Sequence, residues 1–283
     1  MNFRLNERSA AGIGAGLVLL HGAAVLGTLG SPGQLPLIHQ LAGLAACVVA
    51  IAGTVLAARA FSAGDYLRRV WSLFAVGAVL LFLASLMRTG WMLAVPGVPF
   101  EQSAMAGPRT LLVVVLNLLN VSALVLLALT YRRSGLKPPR SWVGYGLWAL
   151  CTVAALAVTA PQLLRDLQHL SAGGGNTMQT LAHVVSTLGD LATIVLVAPI
   201  LRVAYMMRGG KLAWVWWAMA ASGAMWIVYD AHRWEGEQGA LALFALTRTA
   251  GIALKGLSGL LQCAALEREP VAQQTGAAMR SAA

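Results

Sequence analysis

The sequence predicts an all-α polytopic membrane protein: eight transmembrane helices, arranged as two four-helix repeats, with both termini in the cytoplasm. Three observations carry this. The 283 residues are 58% apolar and only 11% charged, with a mean hydropathy of +0.72, well away from soluble-domain composition. Apolar runs of the ~20 residues that cross a bilayer fall near 10–29, 37–58, 70–90, 109–131, 142–162, 179–203, 211–229 and 240–263. The loop charges alternate in density. Fourteen Lys and Arg with four acids lie on one side, and four Arg with five acids on the other. Cation-rich loops stay inside, so the side bearing both termini is cytoplasmic and the location is the cell's inner (cytoplasmic) membrane. This asymmetry accounts for the net charge of +10. The basic loops suit membrane lipid headgroups as partners, and no basic stripe with interleaved aromatics points to nucleic acid.

The first run follows MNFRLNER and could pass for a signal peptide. It is read as helix 1, because it has a counterpart later in the chain. Ile13-Gly14-Ala15-Gly16-Leu17 in helix 1 matches Val143-Gly144-Tyr145-Gly146-Leu147 in helix 5, and Leu37-Ile38-His39 in helix 2 matches Leu181-Ala182-His183 in helix 6. Helices 2 and 6 each lead through an Arg-bearing turn into a Trp-bearing helix, at Trp71 and Trp214. The units are 1–133 and 141–266, joined by a cytoplasmic linker, 134–140, with two prolines, and followed by a polar tail, 267–283, read as disordered and cytoplasmic. Four helices per unit keep both copies in one orientation, related by an axis along the membrane normal. The longest outer connections are residues 90–109, between helices 3 and 4, and 161–177, between helices 5 and 6. The second contains Gly173-Gly174-Gly175, a flexible loop with no preceding strand and no following Lys-Ser/Thr to make it a phosphate cradle. Cys47, Cys151 and Cys263 lie in apolar segments without a CxxC spacing and read as small core residues.

The chemically unusual residues are the charges inside spans. On helix 8, Arg248, Gly251, Lys255, Ser258, Gly259 and Gln262 share one face. That face must meet protein or a water-filled cavity rather than lipid, and its small residues allow a neighbour to approach closely. Helix 6 carries His183, Ser186 and Asp190 at matching spacing and runs in the same direction. Asp190 falls between Arg248 and Lys255 in depth. The expectation is that Asp190 lies within salt-bridge or single-water reach of one of them, since an unpaired buried ion is costly. Two cations against one anion leave a surplus, which a neutral Lys255, an anionic ligand from outside, or a carbonyl cofactor on Lys255 would remove. Asn117 and Asn120 on helix 4 read as interhelical hydrogen bonders.

Other chemistries have thinner support. A lysine on the last helix after a Trp-rich helix resembles the retinal-binding microbial rhodopsins, but Gly251, one turn before Lys255, is no counterion and helix 4 has no acid. His39 and His183 lie at similar depth and are the weak candidates for a shared metal or haem iron. His21 lies deeper, and its counterpart in the repeat is Cys151, so it is expected to gain no partner. His183 with Asp230 and His232 lacks a recognised metal spacing. Asp190 and Asp230 faintly resemble the aspartates of intramembrane proteases, yet Asp230 is expected at the surface, ~17 Å above Asp190 by helical rise.

One broader resemblance rests on Gly189-Asp190, then ILRVAYMMRGGKLAWVWW and the helix ending WIVYD. This progression resembles the multi-helix membrane sensor modules that precede bacterial histidine kinases and diguanylate cyclases. It implies a small-molecule or membrane-state sensor. No kinase, cyclase or coiled-coil segment follows here, so output would need a separate signalling or complex partner. The expected function is a non-enzymatic membrane protein with an outward-facing interhelical pocket for a small-molecule ligand, a sensor or accessory subunit. A secondary transporter or ion- or proton-coupled carrier is the alternative, and a haem-binding redox protein the next.

Overall fold

The computed structural model describes residues 7–28, 32–133, 142–172, 177–206, 212–231 and 238–266. The linker 134–140, the triglycine 173–175, His232 and the tail 267–283 lie outside them. Eight helices make up the described chain, and no strand occurs among the described residues: α1 Glu7–Gly27, α2 Leu35–Arg59, α3 Tyr66–Ala94, α4 Ala106–Arg133, α5 Trp142–Ser171, α6 Thr177–Met206, α7 Leu212–Ala231 and α8 Gln238–Leu266. All eight are long and apolar enough to cross a membrane. The protein is a multi-pass membrane protein.

Local chemistry sets several ends. Pro36 stands in the first turn of α2, where a missing N–H costs nothing. Asp65 caps α3, its carboxylate accepting from Leu67 N at 2.8 Å. After α3 the chain turns at Gly97, whose φ of +82° belongs to the left-handed region that glycine enters without strain, and Trp91 Nε1 donates to Val98 O at 3.1 Å. A 3₁₀ turn, Phe100–Gln102, follows.

The connection expected from 161 onward differs. Helix α5 runs through Pro161 to Ser171. Proline removes one intrahelical bond, here the one to Ala157 O, and interior prolines are tolerated in membrane helices where neighbouring groups satisfy what is freed. Thr159 Oγ1 donates to Ala155 O at 2.9 Å and Arg165 Nε to Pro161 O at 3.2 Å.

Six helices close into a ring in the order α2, α3, α4, α6, α7, α8 and back to α2, while α1 packs outside on α8 and α2, and α5 outside on α6 and α7. The closest seam is α2 against α8. A Cβ on Gly256 would lie 2.6 Å from Val49 O, and one on Gly53 would fall inside the Gly256 carbonyl, so these backbones touch through glycine. Gly256 and Gly259 of α8 therefore receive α2, while Gly251 meets Trp226 and Met225 of α7. Helices α6 and α8 do not pack directly on each other; they face each other across the ring.

One end of the ring is plugged. Trp71, Phe74, Leu124, Leu127, Val197, Ile200, Val215 and Trp216 form a buried apolar core drawn from α3, α4, α6 and α7. Trp71 and Trp216 stack with centroids 6.5 Å apart, and Phe74 meets Trp71 edge-on at 5.7 Å. Outward faces stay apolar, as at Leu19, Leu20, Leu150 and Val153, which suits lipid as the surrounding solvent.

Candidate functional site

Above the plug the lumen turns polar. Lys255 Nζ stands over the Phe74 ring, 5.1 Å from its centroid, and donates to Asn120 Oδ1 at 2.6 Å. Asn120 has room because residue 77 is glycine: a Cβ there would sit 2.8 Å from Asn120 Oδ1. One turn earlier on α4, Asn117 Nδ2 donates to Val113 O of its own helix at 3.1 Å. Asn117, Asn120, Asp190 and Lys255 line one cavity of about 90 Å³, roomy and polar enough to hold water. That volume is well below the ~300 Å³ at which small-molecule pockets begin.

Asp190 makes no direct salt bridge to Arg248 or Lys255, but it shares the cavity with Lys255 and stands within electrostatic reach of it; an ion pair among the described residues joins Arg88 and Glu101, 3.7 Å apart at the end away from the plug. Lys255 takes a neutral amide oxygen instead. Asp190 Oδ2 is buried without a hydrogen-bond donor, and the Asp190 carboxyl is instead a hydrogen-bond neighbour of Asp230. Asp230 also accepts from Ser186 Oγ at 2.9 Å, one turn along α6 from Asp190. The expectation that Asp230 lies ~17 Å above Asp190 is therefore corrected. The two carboxyl groups meet side by side, so Asp190 and Asp230 stand at a similar level of the ring.

Farther from the plug the lumen opens into a cleft of about 640 Å³. Its walls carry His39 and Gln40 from α2, Arg88 from α3, Glu101 from the α3–α4 turn, Arg109 from α4, His183 from α6, Asp230 from α7 and Arg248 from α8. Ser186 and Trp226 border both spaces, so cleft and cavity are stacked. Arg248 is 8% exposed. It donates through one nitrogen to Gln40 Oε1 at 3.3 Å and through another to Ser85 Oγ at 3.2 Å, its guanidinium lying across Gly43. Arg109 stands over the Phe100 ring, 5.7 Å from its centroid, with its Nε buried and without an acceptor.

His39 and His183 come to the same cleft. His21 corrects its expectation: its Nε2 lies 2.9 Å from His39 Nδ1, the rings meeting edge-on at 5.1 Å. The repeat pairing assigned His21 a cysteine counterpart, but α1 packs directly on α2. Among the described residues no three His, Cys, Asp or Glu side chains cluster to hold a metal ion.

The sequence-selected residues thus divide. Asp190, Lys255, Asn117 and Asn120 share the inner cavity, while Arg248, His183 and His39 line the outer cleft. Sequence reading passed over Gln40, Ser85, Arg88, Arg109 and the Asp230 contact. A signal existed for the first two and Arg88: Leu81, Ser85 and Arg88 share a helical face, and Gln40 is a lone amide in an apolar span. No family model, curated protein or solved structure matches this chain.

Proposed function

We propose that this chain is a non-enzymatic membrane protein that holds a small molecule in a cleft open to the outer face, serving as a sensor or as an accessory subunit of a larger complex. One observation carries the reading: the six-helix ring is sealed at one end by the Trp71–Trp216 plug and open at the other into a cleft of about 640 Å³, a size within the ~300–1,000 Å³ of small-molecule pockets. The positive-inside count supports turning the open end outward and leaving both termini in the cytoplasm, where a separate signalling protein would read the occupied state. The ring order, an arc of α2–α3–α4 followed by one of α6–α7–α8, supports two copies of one unit about an axis along the membrane normal; α5, which leans on α7, departs from it. The test is a ligand screen on the purified protein in nanodiscs, read by thermal stability. The reading requires at least one class of small solute to stabilise the wild type and not a variant with the cleft filled at Ala182→Trp.

A second reading, a proton-coupled carrier, is favoured by the buried Asp190 carboxyl at the floor of the cleft beside Asp230. Ionisable groups at this depth mark ion and proton paths. Uptake into proteoliposomes that depends on a pH gradient and is lost in Asp190→Asn would select the carrier; ligand binding without uptake would select the sensor.

A further inference from the structure

We propose that the outer cleft is an oxyanion site, built on Arg248 and Arg109, that takes a small carboxylate- or phosphate-bearing ligand. This rests on reading the cleft as a ligand site and names its chemistry. Three arginines and two carboxylates line the cleft, and the carboxylates are engaged elsewhere. Glu101 is held by Arg88 at 3.7 Å; Asp230 accepts from Ser186 and neighbours Asp190 below it. Arg248 and Arg109 have no carboxylate partner among the described residues.

Their neutral contacts leave donors over. A guanidinium has five N–H donors. Arg248 places two of them on Gln40 and Ser85 at 3.2–3.3 Å, longer than the ~2.7–2.9 Å of charge-assisted bonds, and faces the cleft. Arg109 Nε has no acceptor. Arg109 also stands within electrostatic reach of both Arg88 and Arg248, with Tyr229 and Glu101 offsetting these less strongly and from beyond salt-bridge distance. Like charges brought together in a low-dielectric ring repel strongly, and an entering anion reverses the sign of that interaction. The planar guanidinium fork matches carboxylate and phosphate oxygens two at a time, which a halide does not exploit.

The oxyanion could come from outer solvent or from a lipid headgroup entering between helices, and the experiment separates these. Full-length protein is placed in phosphatidylcholine nanodiscs and titrated with inorganic phosphate, succinate, neutral succinamide and choline at matched sodium chloride; a parallel preparation contains phosphatidylglycerol. Phosphate or succinate is expected to raise the melting temperature. Arg248→Gln and Arg109→Gln each weaken the response on the order of 10- to 100-fold. Stabilisation by phosphatidylglycerol alone, lost in the same variants, supports the site and assigns the oxyanion to lipid. Should Arg248→Gln fail to fold, Arg109→Gln decides, since no protein acceptor depends on its Nε. Stabilisation by succinamide or choline but by no anion overturns the oxyanion site and leaves the ligand cleft standing. No response to any compound or to phosphatidylglycerol, or anion responses unchanged in Arg109→Gln, overturns the proposal, and the former overturns the cleft as well.

Discussion

Replacing Asn120 by alanine isolates how the lumen holds Lys255. In the wild type Nζ has one amide oxygen at 2.6 Å and the Phe74 face at 5.1 Å. A hydrogen bond to a charged group contributes ~1.5–3 kcal/mol net, and leaving the charge without it costs the same order. Interhelical bonds in a bilayer average only ~0.6 and reach ~1.7 kcal/mol, because the unfolded state in the membrane also finds partners. A charged donor with no carboxylate within 4 Å belongs at the upper end of that range. Asn120→Ala should therefore cost ~2 kcal/mol, with the ring quadrupole of Phe74 retaining up to ~2 kcal/mol of attraction. Lys255→Met, which removes the charge, should be close to neutral. The double variant should then lose less than the sum, with a coupling of ~1–2 kcal/mol. Reversible unfolding of the four proteins in bicelles measures this. Additivity to within ~0.5 kcal/mol would show that Asn120 and Lys255 are not energetically linked.

Three further outcomes follow from particular contacts. Gly256→Val drives a branched side chain into Val49 on α2 and should cost at least ~1–3 kcal/mol by overpacking, seen as lost folded yield; wild-type stability in this variant would remove the glycine seam. Asp190→Asn keeps an amide donor for Asp230 and should change stability by less than ~1 kcal/mol, whereas Asp190→Leu should be clearly worse, so equal losses in the two would argue against the carboxyl contact. Reporter fusions at Gly135 and at the C-terminus should report cytoplasm and one at Gly174 the outside; a C-terminus outside would refute the orientation.

Much of the fold was legible because apolar run length alone sets the number of spans. The ends were less so: the outer connection was expected to begin at Pro161, yet α5 continues through it to Ser171. Periodicity also picked out the right face of α8. What it could not supply was the neighbour. A helical wheel says that Arg248, Lys255 and Gly259 point together, but not that Gly259 would meet Gly53 of α2 while Lys255 reaches Asn120 of α4 and Arg248 reaches Gln40 and Ser85. Charge pairing was legible only in part for the same reason. Matching depths on α6 and α8 suggested an ion pair, but depth without azimuth leaves the width of a lumen unaccounted for, and Asn120 and Gln40, being uncharged, attracted little notice as partners for cations.

That the partners are neutral bears on why the cations are there. A Lys or Arg at mid-membrane costs ~2.5–3.5 kcal/mol even on insertion scales, and a neutral acceptor returns only part of it. Two such residues together cost an amount comparable to a good share of the ~5–15 kcal/mol that keeps a domain folded. Apolar replacement of a buried charged cluster, when volume is kept, is often neutral or stabilising by ~1–4 kcal/mol. Lys255→Met combined with Asn120→Leu fills the same space with hydrocarbon and should therefore unfold at or above the wild-type temperature. It should at the same time abolish whatever the inner cavity does, whether a change in ligand response at the cleft or pH-driven uptake. If the double variant is markedly less stable than wild type, Lys255 and Asn120 are structural, and the floor of the cleft is a polar tie between α4 and α8. If it is stable and inactive, the lysine is held in the ring for its chemistry, against its cost to the fold.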